Sequence, residues 1–343
     1  MDKTIRICHL SEGIAGHNGQ VLGVIKTLKD AGFTISVQEV SVNWSIRALR
    51  SILRIVARKF SRFPNSFSIR LIQACYKLGE YEEFDIVISS GSNLAPLNLA
   101  LAKRHHAKNI HMSSIRDWRV DDFSAYITTT QVSFLPNNLR PQIVPNQFDP
   151  ASCEELGKKF IQEKNIEEVN FSLLVIGGDG IGYEYHNNEW DIMIEQFINF
   201  CKNANTHPLF ITSRRTPQNL ESKLISNYDS PYSVYFHAEQ RRGSFHHLLY
   251  MAKHIFVTED SSTMISEAIS SGKSVITVFP KNIRTPRKYS DIIDKYQRLN
   301  FIERRSLRVI QSTDFVKDRD IANEVKQAHQ DFQKSLIKRL ELD

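Results

Sequence analysis

Cysteine is scarce. Cys8, Cys75, Cys153 and Cys201 are the only four in 343 residues, they lie at least 48 residues apart, and no CxxC pair exists. That spacing supports neither a zinc ribbon nor a disulfide framework, so a reducing compartment is expected. Long apolar runs are missing as well. Met1-Asp2-Lys3-Thr4-Ile5-Arg6-Ile7-Cys8 leads straight into a strand-like run with no apolar leader core, and no later stretch reaches 18 uncharged apolar residues. Secretion and membrane spanning are therefore not expected. The familiar phosphate loops are absent too. Gly177 to Gly182 is not GxGxxG, because Tyr183 stands where the last glycine belongs, and Gly13 to Gln20 lacks the spacing and the Lys-Ser/Thr ending of a Walker A loop.

Acidic residues vanish between Glu39 and Glu80, where Arg47, Arg50, Arg54, Arg58, Lys59, Arg62, Arg70 and Lys77 supply every charge. With a net charge of +6 for the whole chain, this stretch carries +8 and the remainder −2. Arg47, Arg50, Arg54, Arg58 and Arg62 recur every three or four residues, and Ile46, Leu49, Leu53, Val56 and Phe60 form a neighbouring apolar stripe behind Trp44. The pattern predicts a basic amphipathic helix over about residues 44–63, suited to an anionic membrane surface. A helix packed on a sheet with a solvated basic back has the same pattern, so bilayer contact and core packing compete for one apolar stripe. Nothing resembling a nucleic-acid-binding module accompanies it, and no nucleic-acid partner is expected.

What is present is an ordinary globular composition, 41% hydrophobic and 24% charged, at a length that suggests two domains. Ile5 to Leu10 reads as a buried strand, Ser11 to Gln20 as a loop, Val21 to Ala31 as a helix stopped by Gly32, and Phe33 to Val40 as a second strand. Phe84 to Ser89 is another strand, followed by the loop Ser89 to Asn93 and the helix Leu94 to Lys103. Pro136, Pro141, Pro145 and Pro150 then break the rhythm ahead of a charged helix, Glu154 to Lys164, which suits an interdomain connection. The pattern restarts with strands Phe171 to Ile176, Pro208 to Thr212, His254 to Thr258 and Ser274 to Phe279, helices Trp190 to Ala204 and Thr263 to Ser271, and a long helix from about Phe315 to Leu342. Short strands alternating with helices predict two successive doubly wound α/β units with parallel sheets. The expected boundaries are residues 1–165, 166–311 and a C-terminal helix over 312–343 packing across the two domains.

Ligands of such sheets bind beyond the carboxyl ends of the strands, so the loops there hold the candidate residues. Glu12 and His17, beside Gly13 and Gly16, are equipment for removing a proton from an attacking hydroxyl, with Asp117 a further candidate base. Gly177, Gly178, Asp179 and Gly180 offer loop amides, and also suit tight turns. Ser213, Arg214 and Arg215 follow an apolar strand, where paired guanidinium donors match a diphosphate; a solvated arginine pair is the alternative. Glu259, Asp260, Ser261 and Ser262 open a helix, suited to ribose or phosphate contacts and to plain capping, and Glu267 lies one turn further on.

Taken together, Gly13-Ile14-Ala15-Gly16-His17-Asn18-Gly19-Gln20, Ile176-Gly177-Gly178-Asp179, Thr212-Ser213-Arg214-Arg215-Thr216-Pro217 and Val257-Thr258-Glu259-Asp260-Ser261-Ser262-Thr263-Met264-Ile265-Ser266-Glu267-Ala268, then Gly272-Lys273, resemble the ELM1-like family of glycosyltransferases. That family takes its name from plant mitochondrial-fission proteins, and its bacterial members are associated with envelope saccharides such as lipooligosaccharide core. The resemblance implies a GT-B architecture, two Rossmann-like domains facing a cleft. It also implies a nucleotide-sugar donor held by the C-terminal domain, a saccharide or glycolipid acceptor on the N-terminal one, and catalysis without a metal or other cofactor. This chain departs from the family pattern in having Glu12 where Asp is typical. Ile127-Thr128-Thr129-Thr130-Gln131 stands where relatives show a His-Asp pair.

The resulting expectation is a cytoplasmic glycosyltransferase, peripheral at the inner face of the membrane, with Glu12 as first choice of general base. A sugar-nucleotide epimerase or hydrolase of the same shape, or a non-catalytic membrane-recruited adaptor, are the alternatives.

Overall fold

The computed structural model describes residues 4–61, 63, 65–113, 119–163, 170–228, 234–235, 246–315 and 320–342. The chain divides into two compact units, Met1–Gln147 with Ala328–Asp343, and Phe148–Gln327.

In the first unit the strands are β1 (Ile5–Ser11), β2 (Ile35–Trp44), β3 (Tyr76–Leu78), β4 (Ile86–Ser90), β5 (Lys108–Met112), β6 (Ala125–Ile127) and β7 (Asn138–Leu139). The helices are α1 (Ala15–Asp30), α2 (Arg50–Ser61), α3 (Ser66–Ala74) and α4 (Ala95–His105). The sheet order is β3-β2-β1-β4-β5-β6-β7, parallel throughout except for the antiparallel β2–β3 pair. Both faces of the sheet are covered, which is why β4 is an unbroken buried run. On one face Val21, Val24, Ile25 and Leu28 of α1 pack with Ile7, Ile88 and Ile110. Phe332, Leu336 and Leu340 of the C-terminal helix join the same cluster. On the other, Ala57, Ile72, Leu97 and Leu101 pack with Cys8, Val40 and Val87.

The second unit holds α5 (Pro150–Glu163), β8 (Phe171–Ile176), β9 (Tyr183–Glu184), α6 (Asn187–Ala204), β10 (His207–Thr212), α7 (Gln218–Tyr228) and β11 (Val234–Tyr235). It continues through α8 (His246–Met251), β12 (Ala252–Thr258), α9 (Ser262–Ser270), β13 (Val275–Phe279), β14 (Asn282–Ile283), α10 (Arg287–Arg298), β15 (Ile302–Ser306) and the start of α11 (Ile321–Leu340). Its parallel sheet runs β11-β10-β8-β12-β13-β15, and β9 pairs with β14 apart from it. Phe197 and Phe200 of α6 meet Phe210 of β10 and Phe256 of β12 edge to face, with centroids 4.9 to 5.5 Å apart. Such pairs favour one packing beyond the burial of their area. In both sheets the chain first steps outward from its opening strand and then crosses back to the other side. The switch points therefore lie between β1 and β4 and between β8 and β12.

Several boundaries differ from expectation, each for a tertiary reason. The helix expected from Val21 begins at Ala15; Gly16 and Gly19 each cost a helix about 1 kcal/mol, but the buried face further along α1 carries them. Trp44 ends β2 rather than opening a helix, because its ring stacks on Tyr76 across the β2–β3 pair (4.7 Å, 25°). The division falls after Gln147, not after residue 165. The expected connecting helix is built into the second unit, where Gly157 of α5 faces Tyr250 of α8 and Phe148 meets His246 edge to face. Phe315 lies outside the last helix and packs on Phe200, His254 and Phe256. The residues of α11 up to Gln327 count with the second unit, where Ala322 lies against Gly272, and those from Ala328 with the first.

Candidate functional site

At the first unit's switch point the loops leaving β1 and β4 bring Glu12, His17, Gly91 and Asn93 together. Gly91 has φ +94°, a left-handed conformation, and a Cβ there would fall 2.6 Å from His17 Cε1 and 3.2 Å from Glu12 Oε1. Glycine is what lets both side chains close over the end of β4. Asn93 Nδ2 donates to Glu12 Oε2 (2.9 Å), and Tyr76 Oη donates to the Asn93 carbonyl (2.7 Å). Glu12 Oε1 is shielded from solvent and accepts no hydrogen bond among the described residues. The site thus has one anchored carboxylate oxygen and one uncommitted one.

His17 stands in the first turn of α1. Beneath it, buried His111 shares a hydrogen bond with Ser89 Oγ (2.7 Å), which also accepts from Asn98 Nδ2 (2.9 Å). Burial, with His17 adding, pushes His111 down to about 3, so it stays neutral and braces the end of β4. Asp117, the further candidate base, lies outside the described residues.

At the second unit's switch point the loops after β8, β10 and β12 interlock. Thr216 Oγ1 lies within hydrogen-bond distance of the Ile176 and Gly177 carbonyls (2.9 and 2.6 Å), and Gly177 N donates to Thr258 Oγ1 (2.7 Å). A Cβ on Gly177 would strike the Asp260 carboxyl at 2.1 Å, and one on Gly178 the Arg215 carbonyl at 2.0 Å, so both positions require glycine. Arg215 Nη2 pairs with Asp260 Oδ2 and reaches the Asp260 carbonyl (3.3 Å), and Gly180 lies 3.4 Å from Arg215 Nε by the same Cβ measure. Arg214, beside it, is exposed. Burial raises the Asp260 carboxyl, while the Thr258 hydroxyl and the Arg215 guanidinium oppose the rise.

Gly177, Gly178, Gly180, Arg215 and Asp260 therefore gather at one place, but several of the other expected ligand contacts are spent within the protein. The amides of Gly177 and Gly180 are spent inside the protein, the latter on the Tyr183 carbonyl (3.1 Å), and Asp179 Oδ1 accepts from Tyr185 N (2.8 Å). Those two amides are therefore not offered to a ligand. Glu259 is fully buried and saturated: Arg304 takes both its oxygens, and Thr277 Oγ1 and Tyr183 Oη donate to it. Ser261 caps α9, its Oγ accepting from Met264 N (3.4 Å), and Ser262 is the first helical residue. Glu267 is largely buried and pairs with His246 (3.5 Å). Ser213 Oγ accepts from Arg215 N (3.2 Å) and shapes the turn.

Asn93, Thr258, Arg304 and His246 were missed by sequence reasoning. Asn93 was discoverable as the end of a loop leaving a parallel strand; the others carry no local signal. Among the described residues no group of three His, Cys, Asp or Glu side chains is placed to hold a metal ion.

Two Rossmann-like units, each with polar side chains gathered at its switch point, define the GT-B class of fold. Solved structures agree. The chain is similar to Arabidopsis thaliana UGT89C1, solved with UDP (TM-score 0.51, 10% identity, 99% of this chain and 98% of that one). It is equally similar to UDP-GlcNAc 2-epimerase from Methanocaldococcus jannaschii (TM-score 0.51, 11% identity, 95% and 99%). The chain belongs to the family described as Mitochondrial fission ELM1, whose model matches residues 15–329. In sequence it is 27% identical over 228 residues to uncharacterized protein RP120 of Rickettsia prowazekii (strain Madrid E), a match covering 64% of this chain. The chain spans about 60% of the length of that curated relative.

Proposed function

We propose that this protein is a glycosyltransferase that moves a sugar from a nucleotide-sugar donor to a lipid-linked or lipopolysaccharide or lipooligosaccharide core acceptor, working in the cytoplasm at the inner face of the membrane. The first unit supplies the base. Glu12 takes the proton of an acceptor hydroxyl as that oxygen attacks the anomeric carbon, with Asn93 holding the carboxylate in place and His17 beside it. The second unit supplies the anion site. Arg214 and the remaining donors of Arg215 meet the nucleotide phosphate as its bond to the sugar breaks, the work that a divalent cation does in other transferases. No metal or other cofactor enters this scheme.

The observation that supports it is a partly uncommitted carboxylate at the first switch point, matched by a guanidinium pair at the second. A UDP-GlcNAc 2-epimerase shares this fold at the same TM-score, and that reading needs the donor site alone.

Thermal shift with UDP, GDP, CMP and ADP sugars tests the donor, since a ligand of the folded state raises its melting temperature by mass action. One nucleotide class is expected to respond, and sugar release is expected to require a saccharide acceptor. A chain that no sugar nucleotide stabilises overturns the reading; a donor sugar inverted without acceptor favours the epimerase.

A further inference from the structure

The basic stretch between Glu39 and Glu80 forms a helical hairpin, α2 and α3, inserted between β2 and β3. The sequence pattern set core packing and surface contact in competition for one apolar stripe, and the structure separates them. Leu53, Val56 and Phe60 pack against the core and Ala57 is buried among them. A second set, Ile46, Leu49, Ile52, Ile55, Phe63 and Phe67, points away from the core and is between 41% and 69% exposed. Arg47, Arg50, Arg54, Lys59 and Arg70 stand exposed among these apolar side chains, with no acidic residue in the hairpin. Scattered single apolar groups on a surface need no explanation, but six within 22 residues do.

A second observation gives the patch a direction. Val132, Phe134 and Leu135 follow β6 and are also exposed, Phe134 at 96%. The segment leading into α2 leaves the carboxyl end of β2, and β2 and β6 run parallel in one sheet. Exposed apolar groups thus leave the same sheet edge on both flanks of the strands that carry Glu12 and Asn93. The hairpin is also tied to that edge, because Tyr76, directly after α3, hydrogen-bonds the Asn93 carbonyl.

We infer that the outer face of the α2–α3 hairpin docks on an anionic lipid bilayer, so that the carboxyl edge of the first unit's sheet, with Glu12, is turned toward the membrane. Apolar side chains ringed by guanidinium groups match the boundary between acyl chains and anionic headgroups, and an acid-free stretch matches that surface's charge. Docking stands on exposure and charge alone. Its consequence, that a lipid-borne acceptor arrives on the side of the proposed base, rests on the glycosyltransferase reading.

The test uses the full chain and phosphatidylcholine vesicles with and without phosphatidylglycerol, read by co-sedimentation with no sugar present. Binding is expected to be about tenfold or more tighter on the anionic vesicles and to weaken as salt rises. The combined substitution Ile52→Ser, Ile55→Ser and Phe63→Ser is expected to lower it by about tenfold or more at unchanged melting temperature. Arg50→Glu with Arg54→Glu is expected to abolish the preference for anionic lipid. Val309→Ser, at an exposed apolar position of the second unit, is the control and leaves binding unchanged. A tryptophan placed by Phe134→Trp is expected to be quenched by brominated lipid.

Equal binding to neutral vesicles, or the triple variant binding like the parent, overturns the inference. So does self-association or RNA binding through the hairpin without vesicle binding. Stabilisation by a sugar nucleotide is measured separately without vesicles, so failed docking and a failed donor site are told apart.

Discussion

Arg304 grips Glu259 with two nitrogens on two oxygens, Nε to Oε1 at 2.7 Å and Nη2 to Oε2 at 2.8 Å, one residue before the Asp260 carboxylate that engages Arg215. The Glu259 side chain is fully buried, and Tyr289 Oη holds its carbonyl (2.6 Å). Such a pair gains little over an apolar replacement, but removing one partner strands a charge. Arg304→Ala is therefore expected to cost about 3–5 kcal/mol in urea unfolding. Arg304→Met combined with Glu259→Met should cost less than the two single changes added together. An Arg304→Ala variant as stable as the parent would remove the pair from the account of this loop.

The same reasoning applied to Glu12 gives a different signature, because its carboxylate is only half committed. Glu12→Gln keeps the shape beside Asn93 and removes the basic oxygen. Turnover is expected to fall by about 10²–10⁴-fold, the usual worth of a positioned base, with the thermal shift given by donor unchanged. Transfer at the parental rate would place the base elsewhere.

Both sheets were legible from the sequence where burial makes the signal local. β8 is an almost wholly apolar run and β12 contains one, Ile255 to Val257, and the residues at which those runs stop mark the carboxyl ends where the site lies. What could not be read depends on partners distant in sequence. Glu259 looks like a ligand residue until Arg304, 45 positions later in a strand reading Ile-Glu-Arg-Arg-Ser, is seen to hold it. Gly16 and Gly19 disguise the start of α1, and Trp44 reads as helical until Tyr76 stacks on it. Chemistry-bearing residue types were visible; which of them face one another was not.

Arg214 and Arg215 are adjacent but unequal, and that inequality is measurable. Both are exposed, but Arg215 is paired with the buried Asp260 carboxylate, and Arg214 forms no ion pair among the described residues. Arg214→Ala is expected to change stability by no more than about 0.5 kcal/mol while weakening donor binding by roughly 10-fold or more, as for a lost charge-assisted hydrogen bond. Arg215→Ala should lose donor binding and stability together, and Asp260→Asn in the Arg215→Ala background should restore part of the stability without restoring binding. If both arginine variants melt and bind alike, the two guanidinium groups share one role.

Two histidines of the second unit act on opposite sides of the pH dependence of stability. For His246 burial acts downward, but hydrogen bonds with Cys153 and Glu267 outweigh it and raise the imidazole to about 9. Unfolded, it returns to about 6.5. The folded chain then holds the proton more tightly, so this stabilisation is complete below about pH 6.5 and is lost as the pH rises through about 9. His254 is the reverse case. Burial, with Lys253 adding, lowers it to about 4, and its Nδ1 meets Ser172 Oγ at 3.1 Å. Protonation there favours the unfolded chain, so stability is full above about pH 6.5 and falls toward pH 4. The melting temperature is therefore expected to fall on both sides of about pH 6.5. Glu267→Gln should reduce the alkaline limb without touching the acid one, and His254→Phe should reduce only part of the acid limb, because buried His111 of the first unit, lowered to about 3, loses stability in the same direction as the pH falls. A Glu267→Gln variant that loses stability in parallel with the parent between pH 6.5 and 9 would show that the His246 pair does not govern that limb.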